Sequence, residues 1–234
     1  GADQLRDDSA PVDVAGQDHR HIRRPGKAHI GNVARTKVHL GRTARALVVK
    51  AMPDKSQADV AYGNVGLARR DPDYYAALVM NNALGQYALG GRLGDSIRER
   101  QGMAYYVYSS LDAGLDAGPL MVRAGVSSEN VERTIASIDA ELTAVLTAGF
   151  TTAEIDDAKR YLIGSLPRQL ETNAGIAGFL LSAEVYGLGI DHDVRLPQRI
   201  AEVTHDDVAR VARRLLDPAT AVVVVAGPWQ APRA

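Results

Sequence analysis

Beyond residue 44 the spacing of apolar positions changes from strand-like to helix-like along the chain. "ALVVKAM" and "QADVAYGNVGL" read as two strands, split by "PDKSQ". "DPDYYAALVMNNALG" then predicts a helix with Asp71 as N-cap and Pro72 at its first position, stopping at Gly85. Its apolar stripe is Tyr74, Tyr75, Leu78 and Val79, extended by Asn82. A Gly-rich hinge, "GQYALGG", leads into a short helix near Arg92–Arg100. "MAYYVYSSL" and "GPLMVRAGVS" follow as an antiparallel pair joined through "DAGLDAG".

The second half is mostly helical. Val131, Ile135, Ile138, Leu142, Val145 and Leu146 recur at spacings of three and four behind a serine cap. Thr151 and Glu154 form a capping box for the next helix, which Pro167 is expected to interrupt or end. "NAGIAGFLLSAEVYGLG" is a third helix, rich in small residues, and Thr204 with Asp207 opens a fourth. "AVVVVAG" closes as an unalternating apolar strand, which argues for the interior of a sheet. The expectation is an α+β fold: a mixed, largely antiparallel sheet with helices packed mainly on one face. There is no internal repeat.

Residues 1–44 stand apart. Five aspartates precede residue 19 against Arg6 alone, and residues 19–50 then hold many Arg and Lys and no acid. Four of the six histidines fall there: His19, His21, His29 and His39. This segment reads as a linker or extended arm, with a docked strand within residues 30–44 as the competing reading, and residues 45–234 as the folded domain. No aromatic residue is interleaved with the basic ones, which disfavours nucleic-acid binding. A net charge of −1 gives no global field for nucleic acid or anionic membrane. No apolar run is long enough to span a bilayer, so a soluble protein is expected, with the cytoplasm slightly favoured. There is no cysteine, which removes disulfides, thiolate nucleophiles and cysteine-bound zinc. No signal peptide is visible, and the missing initial Met suggests a processed product or a fragment.

Candidate chemistry is sparse. Gly85, Gly90, Gly91 and Gly94 invite a phosphate-loop reading, but Arg92 stands where a Gly-Lys-Ser/Thr ending is needed. A mobile loop between helices is the ordinary alternative. No histidine has a second histidine four residues away beside a glutamate, so no metal site is expected in this chain. His192 is expected in a solvated loop and His205 in the first turn of a helix. No G-x-S-x-G elbow is present. Arg98 and Tyr105 remain, seven residues apart at a helix-to-strand corner. Both are donors toward a carbonyl oxygen, and a packed tyrosine beside a surface arginine is the plain alternative. Simple alternation would put Tyr105, Val107 and Ser109 on one face of the strand and Tyr106, Tyr108 and Ser110 on the other.

In order along the chain, "DPDYYAALVMNNALG", "GGRLGDSIRERQGMAYYVYSS", "TTAEIDDAKRYLIGSL" and "VVVVAG" resemble the C-terminal, inactive domain of the M16 metallopeptidases. That family includes processing peptidase, pitrilysin and insulin-degrading enzyme. The resemblance runs from about Arg45 to Trp229, with Gly91 where the family commonly has serine. It implies a chamber made by two similar halves around a peptide substrate. Zinc would be carried by an H-x-x-E-H helix in the partner domain or subunit, in a homo- or hetero-dimer. It further implies substrate anchoring for Arg98, oxyanion stabilisation for Tyr105, and substrate contact by the loop holding Gly85, Gly90 and Gly91. This chain alone would be inactive and hold no cofactor. A non-catalytic, M16-derived assembly subunit is the alternative.

Overall fold

Residues 44–86 and 91–231 are described by a computed structural model. The segments carrying valines and tyrosines form strands: Ala46–Ala51 (β1), Ala58–Val65 (β2), Ala104–Leu111 (β3), Pro119–Val126 (β4) and Val222–Gly227 (β5). They assemble as one mixed sheet in the order β1-β5-β2-β4-β3, antiparallel except for the β1–β5 pair. The apolar run of β5 is therefore paired on both sides, and it separates the two strands that "PDKSQ" joins. Register places Val60 opposite both Ala124 and Val225, and Tyr62 opposite both Val122 and Val223. These residues and Val107 are at most 3% exposed and form the sheet side of the core, under the helices. Ala61, Met121, Val222 and Val224 on the opposite face are only half-buried. Each large side chain sealed on the covered face contributes about 1.5–3 kcal/mol.

Helices Tyr74–Asn81 (α1), Val131–Ala148 (α2), Thr152–Gln169 (α3), Asn173–Tyr186 (α4), His192–Ala201 (α5) and His205–Leu215 (α6) accompany the sheet, with three short helical segments described below. The helix expected from Asp71 begins later, at Tyr74. Asp71 instead caps a turn containing Pro72: its carboxylate accepts from the Asp73 N–H at 2.9 Å and its carbonyl from the Tyr74 N–H at 3.0 Å. Arg214 of α6 grips that same Asp71 carboxylate at 2.6 and 2.9 Å, tying the first and last helices together. No serine side chain caps α2. A single 3₁₀ turn, Ser128–Asn130, leads in, and Ser127 accepts from Asn130 through both its carbonyl and its hydroxyl. Buried Tyr62 fastens α2 to the sheet by donating to Asp139 at 2.9 Å, and Arg45 reaches the same carboxylate at 2.8 Å. Burial and that carboxylate push the Tyr62 phenol far above its ordinary pKa.

Pro167 neither interrupts nor ends α3, which continues to Gln169. It sits so near the C-terminus that its missing N–H costs one bond, and Leu170 still donates to Leu166 at 3.2 Å. The polar stretch containing His192 is helix α5 and not a solvated loop. His192 is only 4% exposed, with its ring stacked on Phe179 of α4 at 5.4 Å. α5 is short, polar on average and carries Pro197, and it buries only His192 and Ile200, so it passes for a loop in the sequence.

The predicted capping box Thr151–Glu154 forms on α3, and Thr204 with Asp207, expected to open a helix, forms a second box on α6. The Thr204 hydroxyl and N–H, with Arg210, lower the Asp207 carboxyl to a pKa of about 2. A depressed carboxylate stabilises the fold above its unfolded pKa and loses that contribution as pH falls through the folded value. Asp207→Ala is therefore expected to cost about 1 kcal/mol near neutral pH. Urea unfolding should show this difference shrinking as pH drops from about 4 toward about 2. A difference independent of pH would mean that the carboxylate is not the capping group.

Candidate functional site

The corner that carries Arg98 begins with a short π-type helix, Gly94–Arg100. Leu93 and Ile97, both fully buried, lie four residues apart and fix it to the core, leaving Asp95, Glu99 and Arg100 outward. Gly102 then takes a left-handed conformation, φ 63°, which lets the chain turn sharply into β3. Its N–H donates to the Arg98 carbonyl at 3.1 Å, and the Met103 N–H donates to the Ile97 carbonyl at 3.1 Å. The end of the helix and the start of the strand are thus one hydrogen-bonded unit. Arg98 stands on the helical side, its side chain 34% exposed, with its Nε 3.6 Å from the Glu99 carboxylate.

Tyr105 stands on the strand side, and here the alternating pattern fails. Ala104 pairs with Val126 and Tyr106 with Gly125, so Tyr105 is the extra residue of a β-bulge. Ala104, Val107 and Ser109 face the core. Tyr105 does not share the face of Val107 and Ser109: the bulge turns it out, 77% exposed. Its neighbour Tyr106 is committed elsewhere. The Tyr106 ring lies against Gly125, where any Cβ would come within 2.4 Å of it, and its hydroxyl donates to Asp59 at 2.7 Å. Burial, then that carboxylate, push the Tyr106 phenol up to about 12. Among the described residues the Tyr105 hydroxyl has no such partner, so it is the phenol presented outward at the tip of edge strand β3.

Two of the three singled-out glycines meet at the neck of the Gly-rich loop; Gly90 lies outside the described residues. After Asn81 the helix widens into a π-type turn, Asn82–Gln86, that breaks at Gly85, φ 156°. A Cβ on Gly91, φ 80°, would stand 2.7 Å from the Gly85 Cα. Gly91 reaches the Gly85 backbone only because it has no side chain; a Cβ on Gly85 would instead meet Leu93 at 3.2 Å. Arg92 secures the returning strand of the loop. Its Nε and Nη2 hold the two Glu154 carboxylate oxygens at 2.8 Å each, and its guanidinium lies 5.2 Å from the centre of the Phe150 ring. The Glu154 carboxylate thus serves both the α3 capping box and the loop, and these bonds lower its pKa against the opposing effect of burial. The fixed, planar geometry of an arginine–carboxylate pair makes this a staple rather than a loose contact.

Beside the loop lies a cavity of about 530 Å³, lined among others by Asn82, Gly91, Arg92, Arg100 and Glu154. The Asn82 amide nitrogen is buried there without a partner among the described residues. Among those residues no group of three or more His, Cys, Asp or Glu is placed to hold a metal ion, and no helix is long and apolar enough to cross a membrane.

A sequence model of the family described as "Peptidase M16 inactive domain" matches residues 28–162, starting upstream of Arg45. The chain is 37% identical over 161 residues to an uncharacterized zinc protease of Streptomyces coelicolor, covering 68% of this chain and 35% of that protein. An uncharacterized zinc protease of Mycobacterium tuberculosis is 36% identical over 169 residues, covering 70% and 37%. The chain thus spans about a third of the length of these relatives. A crystal structure of a peptidase M16 inactive domain from Pseudomonas fluorescens superposes with a TM-score of 0.73 at 30% identity, over 81% of this chain and 45% of that one. A chain of complex III2 from Candida albicans shares the fold alone, at a TM-score of 0.69 and 15% identity over 78% and 46%. The order of elements, the helix–corner–strand unit and these relatives agree: the chain belongs to the M16 peptidase family, as its inactive domain.

Proposed function

We propose that this chain is the substrate-positioning half of an M16-type zinc endopeptidase. It works opposite a zinc-bearing domain or subunit that closes over an extended peptide. The observation that carries this reading is the bulge at Tyr105. A phenol donor is turned out of an edge strand, beside the helix end that carries Arg98, its side chain 34% exposed. In the closed assembly Arg98 anchors the peptide, and Tyr105 donates a hydrogen bond to the carbonyl oxygen as it becomes an oxyanion. Donors already in place where charge develops are worth roughly 3–4 kcal/mol. The loop pinched by Gly85 and Gly91, with Gly90 between them, lies against the substrate. The partner's zinc would supply an activated water.

Two further features support a missing half. The relatives named zinc proteases are nearly three times as long as the portion matched. The outer side of α4 also exposes Ile176, Leu180, Leu181 and Val185, an apolar row suited to a partner surface. That row equally suits the second reading, a non-catalytic assembly subunit. Reconstitution separates the two. Mixing the chain with an M16 half that carries H-x-x-E-H is expected to release chelator-sensitive peptide cleavage that neither half shows alone. A stable complex without proteolysis would overturn the catalytic reading in favour of the scaffold.

A further inference from the structure

The opposite end of the sheet holds a second concentration of charge, remote from the bulge in strand register. β2 and β4 end there at Val65 and Pro119, whereas Tyr105 lies beside the Ala58–Val126 end. The connection from β2 to α1 crosses this end, held by the Arg69 N–H donating to the Gly114 carbonyl at 2.8 Å. It meets the C-terminus of α4, where left-handed Gly187 stops the helix, and the first turns of α5. Between them lies a cavity of about 580 Å³.

Four guanidinium groups line it: Arg69 and Arg70 from the connection, and Arg195 and Arg199 one helical turn apart on α5. Like charges brought together in a partly buried space repel, so their partners matter. Asp71, the carboxylate lining the cavity, is engaged by Arg214 through both oxygens. Arg195 reaches Asp191 at 2.8 Å and the Leu188 carbonyl, yet its Nε is buried and unpartnered among the described residues. Arg70 donates to the Tyr186 carbonyl at 3.0 Å. Arg69 is held by aromatic faces, 3.8 Å from the centre of the Tyr74 ring, 5.6 Å from Tyr75 and 5.8 Å from Tyr186. Arg199 lies 5.8 Å from the centre of the Tyr75 ring. Ring faces fix the position of a guanidinium but leave its outer N–H groups available. The field is felt by His192, whose ring nitrogen is 3.4 Å from Arg69. Burial, then Arg69 and Arg195, hold its pKa below the ordinary value.

We propose that this cavity is a binding site for an oxyanion group, a carboxylate or a phosphate, gripped by Arg69, Arg70, Arg195 and Arg199. The rigid fork of a guanidinium matches both groups with paired, charge-assisted hydrogen bonds. A bound anion would also place a counter-charge between guanidinium groups of which Arg195 already has Asp191 beside it. The carboxylate source is the C-terminus of a bound peptide, and the phosphate source is a phosphate-bearing small molecule. The site is independent of the role assigned to Tyr105.

Calorimetric titration of the full chain tests it with three probes: inorganic pyrophosphate, a short peptide as the free acid, and the same peptide as its C-terminal amide. Saturable binding of pyrophosphate, or of the free acid but not the amide, is expected, weakening as salt is raised. Pyrophosphate alone would assign the phosphate source, and the free acid alone the carboxylate source. Arg199→Gln and Arg195→Gln should each weaken binding at least about ten-fold, the loss of one charge-assisted contact. Arg160→Gln, at an exposed position on α3, should leave it unchanged. Circular dichroism checks that the variants fold, and Arg199, exposed at the surface, is the safer substitution. Absence of binding for every probe overturns the proposal. So does binding that both variants retain at wild-type strength.

Discussion

Tyr105→Phe is expected to lower kcat of the reconstituted peptidase about 10²–10³-fold with KM little changed. The substitution removes one oxygen and nothing else. Tyr105 is 77% exposed in a bulge, and among the described residues its hydroxyl bonds to nothing whose loss could disturb the fold. Stability should therefore stay within about 0.5 kcal/mol of wild type. A donor that engages the carbonyl only as it becomes an oxyanion lowers the barrier without tightening the ground state. This separates it from a residue that merely holds substrate. Tyr106→Phe is the matched control one residue away. It removes the hydroxyl that donates to Asp59 and should cost stability of about 1 kcal/mol while sparing turnover. Wild-type turnover in Tyr105→Phe would end the assignment, whatever the fold.

Local signals in the chain are strong where one residue's neighbours decide its conformation. The boxes at Thr151–Glu154 and Thr204–Asp207, the β3–β4 hairpin and the break at Gly85 are all legible, because each depends on contacts within a few residues. What pattern reading misses is settled at long range. Nothing in "ALVVKAM" says that β5, far away in sequence, will lie beside it in parallel. α5 is polar on average and carries Pro197, so it passes for a loop, and His192 looks solvated until Phe179 is folded onto it. The corner is the instructive case. The spacing of Arg98 and Tyr105 is visible, yet "AYYVYSS" reads as simple alternation in either register. Only pairing with β4 shows the extra residue, and that extra residue is what exposes Tyr105 and leaves Tyr106 to Asp59. Arg92 was visible only as a departure from a phosphate loop; its partner Glu154 lies on another helix, beyond any local motif.

Gly91→Ala should destabilise the chain by about 3 kcal/mol and lower Tm by roughly 6–12 °C, combining two separate penalties. The first is conformational: φ is 80°, and a Cβ in the left-handed region costs about 1–2 kcal/mol. The second is contact. The new Cβ would lie 2.7 Å from the Gly85 Cα and 2.9 Å from its nitrogen, both backbone atoms that cannot rotate aside. Gly102→Ala separates the two. Gly102 is also left-handed, φ 63°, but a Cβ there meets nothing within 4 Å, so it should suffer only the first penalty. The difference between the variants, read by thermal unfolding, measures how firmly the neck of the loop is closed. Equal losses would mean that Gly85 and Gly91 can part at little cost. The staple between Arg92 and Glu154 would then be what keeps the returning chain in place. A clear excess for Gly91→Ala would mean that the contact between Gly91 and the Gly85 backbone itself holds the neck closed.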